Sequence, residues 1–250
     1  MQDFHGKTVV IAGASSGIGR ETAQRLSEQG AKIVLVARRE DKLQEACAGL
    51  SGEGHSWYVF DFSDLDNIDS LFKQIVAEQG KIDGFVYAAG ISKTRPIAQI
   101  KPNVAKEVFN INFFGFLESI RQIARGRFNP GLRIVGISSI AAARGDSGHT
   151  IYSASKAAMD GAVRCLAMEL AGKGICINTV APAMTNTEMY QKFVSSFGES
   201  GESNSYLFKR QYLGLGEPSD IANTIIFLLS SESRFITGAC IPVDGGYTSD

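Results

Sequence analysis

Short apolar runs rich in β-branched residues alternate with longer amphipathic stretches along almost the whole chain. The apolar runs predict seven strands: Thr8–Ala12, Lys32–Ala37, Trp57–Phe60, Ile82–Ala88, Leu132–Ile137, Ile175–Val180 and Ala239–Val243. Between them, helical spacing is read over Arg20–Gln29 and near 40–48, 64–79, 103–126, 152–172 and 217–230. Strands regularly separated by helices imply an α/β fold. The expected architecture is a Rossmann-like, doubly wound parallel sheet with right-handed crossovers and helices on both faces. No linker or internal repeat interrupts the pattern, so residues 1–250 are expected to form one domain. The segment at about 186–215 breaks the rhythm. It holds the polar run Gly198–Ser205 flanked by Phe193, Phe197, Tyr206, Phe208 and Tyr212, which is expected to be a substrate-covering lid.

Composition removes alternatives. With 44% hydrophobic residues, 250 residues can bury one substantial core. A net charge of −1 from 25 basic and 26 acidic residues offers no footprint for nucleic acid. The first strand begins too early for a leader peptide, and no apolar run approaches the roughly 20 residues of a membrane span. Cys47, Cys165, Cys176 and Cys240 show no C-x-x-C spacing, and with His5, His55 and His149 they make no recognisable metal set. A cytoplasmic enzyme with reduced thiols and no metal is the expectation.

Two short motifs carry chemistry. Gly13-Ala14-Ser15-Ser16-Gly17-Ile18-Gly19 joins the first strand to the first helix, the setting in which backbone amides at a helix N-terminus cradle a pyrophosphate. Tyr152 and Lys156 stand four apart on a helix and so share a face. An ammonium beside a phenol favours the phenolate, lowers the tyrosine pKa and suits proton exchange with a substrate oxygen.

With these motifs in order, the chain resembles the short-chain dehydrogenase/reductase family over essentially its whole length. The resemblance rests on Ala12–Gly19, Phe60-Asp61-Phe62-Ser63, Tyr87-Ala88-Ala89-Gly90, Asn112-Phe113-Phe114-Gly115, Ile137-Ser138-Ser139, Tyr152-x-x-x-Lys156, Pro182–Thr187, and Thr237-Gly238 followed by Val243-Asp244-Gly245-Gly246. It implies interconversion of a carbonyl and a secondary alcohol with a nicotinamide coenzyme. Tyr152 would be the proton donor, Lys156 its partner and a ribose ligand, Ser139 rather than Ser138 the carbonyl polariser, and Asn112 the holder of a water. The coenzyme would lie against Gly13, Ser15, Ser16, Gly17, Ile18, Gly19, Asp61 (beside adenine), Phe62, Ala89, Gly90, Tyr152, Lys156, Pro182, Ala183, Thr185 and Thr187. The substrate would meet Ser139, His149, Tyr152 and Met184.

Departures from the family pattern are Ala12 for threonine, Tyr87 and Ala88 for two asparagines, and Ala183 for glycine. At the end of the second strand, where NAD-dependent relatives carry an acid, Ala37 is followed by Arg38 and Arg39, which points to NADP(H). The nearest general pattern is that of 3-oxoacyl-acyl-carrier-protein reductases. Lys173, helped by Arg127, is a candidate for docking an acidic carrier, and a solvated surface lysine is the plainer reading. The polar Asp146-Ser147-Gly148-His149 suits a keto-sugar or other small polar ketone equally. A non-catalytic NADP(H)-binding sensor or scaffold is the alternative of a different class. Relatives also lead us to expect a homotetramer.

Overall fold

The computed structural model describes residues 4–195 and 210–249. Seven parallel strands form one sheet: β1 (Thr8–Ala12), β2 (Lys32–Ala37), β3 (Ser56–Val59), β4 (Ile82–Tyr87), β5 (Phe128–Ile137), β6 (Cys176–Pro182) and β7 (Cys240–Val243). Their spatial order is β3-β2-β1-β4-β5-β6-β7. The order reverses between β1 and β4, so a crevice opens beyond the carboxyl ends of those strands, where ligands of such sheets bind. The helices are α1 (Gly17–Glu28), α2 (Glu40–Ala48), α3 (Ile68–Gln79), α4 (Pro102–Phe109), α5 (Gly115–Ala124), α6 (Thr150–Ala171), α7 (Glu188–Ser195) and α8 (Pro218–Leu229).

The central strands are buried on both faces, which is why they read as unbroken apolar runs. Two cores result. On one face Val10, Val34, Phe72, Phe85, Tyr87, Phe116 and Val163 pack beneath α3, α5 and α6. On the other Val9, Ile11, Leu26, Ile33, Leu35, Ile225 and Leu229 pack beneath α1 and α8. Alternate residues of β1 enter opposite cores, as the two-residue strand period requires.

Two elements differ from the sequence expectation. The helix expected near 103–126 is interrupted by a π-turn at Asn110–Phe114. Within this turn the fully buried Tyr87 hydroxyl donates to the Ile111 carbonyl at 2.5 Å. Strand β5 begins earlier, at Phe128, through an irregularity in its register with β4 between Ile82 and Gly84. The apolar pattern missed it because Asn129, Pro130 and Gly131 are weak strand formers. Of the expected lid, α7 and residues 210–215 are described; the polar run Gly198–Ser205, with Phe197, Tyr206 and Phe208, lies outside the described residues.

Candidate active site

The glycine loop is shaped by close backbone approach. Gly13 has φ +80°, and a Cβ there would stand 2.5 Å from the Ala88 carbonyl carbon and the Ala89 nitrogen. Gly19 is equally constrained, since its Cβ would press on the Gly13 carbonyl. The loop is pinned to the neighbouring strands by Gly13 N donating to Val36 O (2.8 Å) and Ala88 N donating to Ala12 O (2.8 Å). Thus β1, β2 and β4 bring the loop, Arg38 and Arg39, and Ala89–Gly90 to one edge of the crevice.

At the other end, three successive residues of β5 and its exit each meet α6. The Ile137 carbonyl accepts a 2.6 Å hydrogen bond from Lys156 Nζ. Ser138 Oγ donates to Asp160 Oδ2 at 2.8 Å. Ser139 caps a 3₁₀ turn by accepting from Ala141 N, and its hydroxyl is near enough to the Tyr152 phenol to influence it. Ser138 is therefore committed inward and Ser139 is left facing the crevice. Tyr152, Lys156 and Asp160 fall one turn apart on a single helix face, so this sequential contact follows from the helical period.

The electrostatics differ from the simple expectation for the tyrosine. Burial pushes the Tyr152 phenol up, and the Ser139 hydroxyl pulls it partly back. Burial also brings the Lys156 amine down to about 8, although the Asp160 carboxyl group one turn along opposes the shift. The Lys156 Nζ lies 5.8 Å from the centroid of the Tyr152 ring. Burial of the phenol thus outweighs the depression expected from Lys156, whose Nζ donates to the Ile137 carbonyl.

One cleft of ≈ 730 Å³ joins the two ends. Its lining includes the glycine loop, Arg38, Arg39, Asp61, Phe62, Ala89, Gly90, Ser139, His149, Tyr152, Lys156, Pro182, Ala183, Met184, Thr185 and Thr187. Of the side chain of Phe62 little can reach a ligand: it packs edge-on against Phe60 and Tyr87 in the core. His149 sits with its ring 6.2 Å from that of Tyr152 and 5.4 Å from that of Phe193, and its Nε2 is 3.2 Å from Thr94 Oγ1.

Asn112 stands apart. It is fully buried in the π-turn and outside the lining. Its Nδ2 donates to Ile91 O and Ser155 Oγ, both at 3.0 Å, and its Oδ1 accepts from Ile91 N at 2.9 Å. Both amide hydrogens are thus spent on bracing the loop after β4 against α6. The side chain thus acts as a brace at the back of the cleft. Ser155 completes the chain of contacts by donating to the Tyr152 carbonyl (2.7 Å).

Sequence reasoning missed four residues here. Asp160 had a legible signal, its position four after Lys156. Tyr87 was seen only as a departure from the family. Glu188 and Gln211 carried no local signal. Gln211, 3% exposed, ties the base of the segment after β6 by donating to Met184 O (2.9 Å) and Gly214 O (2.6 Å) and accepting from Met184 N (3.1 Å). Of the carrier-docking candidates, Lys173 donates to the Ala124 carbonyl at the end of α5, and Arg127 joins Asp69 to the Gln122 carbonyl. Among the described residues no group of three or more possible metal ligands occurs, and no helix is long and apolar enough to cross a membrane.

Residues 13–248 match a protein-family model described as enoyl-(acyl carrier protein) reductase. The chain is 32% identical over 247 residues to 3-oxoacyl-(acyl-carrier-protein) reductase FabG of Thermotoga maritima, covering 97% of this chain and 98% of that protein. This chain is a short-chain dehydrogenase/reductase. Members of this family with other substrates are as similar: L-xylulose reductase of Caenorhabditis elegans is 32% identical over 250 residues, covering 99% and 98% of the two chains. Among solved structures, a blue fluorescent protein from a metagenomic library in complex with NADPH superimposes with TM-score 0.88 at 30% identity, covering 99% of this chain and 100% of that one. Membership of the short-chain dehydrogenase/reductases makes this protein an oxidoreductase acting on carbonyl and alcohol groups.

Proposed function

We propose that this short-chain dehydrogenase/reductase is an NADP(H)-dependent carbonyl reductase, with Tyr152, Ser139 and Lys156 at the reacting oxygen. The observation that carries the reading is one continuous cleft lined by the glycine loop and two arginines together with Ser139, Tyr152 and Lys156. The residues fit a dinucleotide. Gly13 and Gly19 leave no room for a Cβ, so the loop can follow its tight path beside Ala88 and Ala89. Gly13, Ser15–Gly19, Arg38, Arg39, Asp61, Ala89, Gly90, Lys156, Pro182, Ala183, Thr185 and Thr187 would hold the coenzyme. When bound it supplies hydride transfer at the carbon that bears the oxygen.

The residues of this chain handle the proton. Tyr152, kept protonated by burial, donates to the developing alkoxide, and Ser139 orients the carbonyl oxygen by hydrogen bonding. Lys156 brings positive charge beside the phenol, which favours its release of the proton once the cleft is filled. A Tyr152→Phe variant should lose more than ~99% of turnover while binding NADPH with near wild-type affinity in a fluorescence titration. Substantial residual turnover would sink the assignment. Loss of NADPH absorbance with a panel of 3-oxoacyl thioesters, keto-sugars and simple ketones separates an enzyme from a coenzyme-binding sensor.

The substrate reading closest to the sequence pattern is a 3-oxoacyl thioester. A small polar ketone is the second reading, with Thr94, Asp146 and His149 in the lining as its polar contacts beside the apolar Met184, Met189 and Phe193. We place the enzyme in the cytoplasm, with its four cysteines as free thiols, working as one catalytic unit. Assembly as a homotetramer would cover exposed apolar side chains such as Phe114 beside α5, Met168 on α6 and Phe235 before β7.

A further inference from the structure

Both arginines that follow β2 face a carboxylate. Arg38 Nη1 lies 3.5 Å from Asp61 Oδ2. Arg39 is held on two sides: its Nη2 donates to Ser16 Oγ (2.9 Å) and Ser15 Oγ (3.2 Å), and its Nη1 donates to Glu188 Oε2 at 3.0 Å. Two positive and two negative side chains therefore meet where a ribose phosphate would sit, and their formal charges cancel. A subsite built solely to attract a phosphate would leave the cations in excess.

The two carboxylates are placed differently. Asp61 also accepts from Ser63 N at 2.9 Å, which fixes it to its own loop. Glu188 is the first residue of α7 and reaches Arg39 from across the cleft, 149 positions away in sequence. The Arg39–Glu188 pair is 42% exposed on each side. An exposed pair of this kind contributes little on its own. A phosphate dianion offers the same guanidinium stronger, charge-assisted and bidentate hydrogen bonds. Exchange of Arg39 from Glu188 to a phosphate is therefore favourable, and Glu188 subtracts from the gain.

We propose that Glu188 is a specificity-determining residue for the coenzyme. It holds Arg39 when no 2′-phosphate is present and yields it when one binds. The charge on Glu188 thereby sets the margin by which NADPH is preferred over NADH. This rests on the NADP(H) reading of the cleft.

The test is binding, followed by fluorescence titration of wild type, Glu188→Gln, Arg39→Ala and the double variant with NADPH, NADH and 2′,5′-ADP. Glu188→Gln keeps the shape of the side chain and removes its charge. It should tighten NADPH and 2′,5′-ADP about 3- to 10-fold and leave NADH unchanged. Arg39→Ala should abolish that gain in the double variant. A phosphate-selective wild type with a silent Glu188→Gln overturns the proposal alone. Weaker NADH binding by Glu188→Gln also overturns it, since Glu188 would then be a ribose-hydroxyl acceptor. Equal affinity of wild type for NADPH and NADH, with Arg38→Ala and Arg39→Ala both silent, overturns the NADP(H) reading and the proposal with it.

Discussion

A single buried carboxyl group ties the catalytic helix to the sheet. Asp160 accepts from Ser138 Oγ at 2.8 Å and Thr179 Oγ1 at 2.7 Å, and the Cys240 thiol lies 3.6 Å away. Ser138 and Thr179 are 2% and 0% exposed, so neither hydroxyl has solvent to turn to. Removing the acceptor leaves buried donors unpaired, which costs more than the hydrogen bonds were worth. Asp160→Ala should destabilise the fold by about 2–4 kcal/mol in urea unfolding, with Asp160→Asn less affected because it retains one acceptor oxygen. Equal stability of all three proteins would show that these contacts contribute nothing. The position of Asp160, one turn beyond Lys156, was visible in the sequence. Its partners were not, because Ser138 and Thr179 reach it from two different strands.

Among the elements, the π-turn shows how a departure from the family pattern is absorbed. Tyr87 ends β4 where the family has asparagine, and the larger side chain runs through the core to the Ile111 carbonyl. Its neighbours make room: Gly115 has no Cβ to meet the hydroxyl, which would stand 2.5 Å away from one. Burial and the charge of Asp61 raise the phenol well above its ordinary pKa, so it stays a donor. Tyr87→Phe should therefore cost about 0.5–1.5 kcal/mol, measured by thermal or urea unfolding, by removing this buried hydrogen bond. An unchanged midpoint would mean that the carbonyl finds another donor. Asn112 sits in the same turn, and its brace to Ile91 and Ser155 depends on that local geometry. Helical periodicity alone suggested one long helix near 103–126 and gave no sign of the turn at Asn110–Phe114.

At the scale of the whole molecule, stability should carry the signature of Lys156. Burial lowers its amine from 10.5 in the unfolded chain to about 8 in the fold. Below about 8 both states hold the proton and the fold bears the full cost of burying a cation. As pH rises through about 8 the folded state releases the proton while the unfolded chain keeps it, so stability increases. The gain persists until the raised Tyr152, protonated in the fold beyond its ordinary 10, begins to act in the opposite sense. Relative to Lys156→Met, the wild type should gain roughly 1–2 kcal/mol between about pH 8 and about pH 10 in urea unfolding. A pH-independent difference would show that Lys156 is not desolvated in the fold.

Much was legible from residue order alone. The alternation of β-branched runs and amphipathic stretches sets a doubly wound parallel sheet, because fully buried strands must be apolar throughout and crossover helices must be amphipathic. The glycines at 13, 17 and 19 and the four-residue spacing of Tyr152 and Lys156 are local signals, each contained within one turn or one loop. Other features arise only when distant segments meet. The pairing of Arg39 with Glu188, the clamp of Gln211 on Met184, the brace of Asn112 and the three donors around Asp160 join elements far apart in the chain. Sequence determines which side chains a strand or helix presents. Which of them come within 3 Å of one another, and so which charges are free and which are already paired, is decided by the packing of those elements in three dimensions.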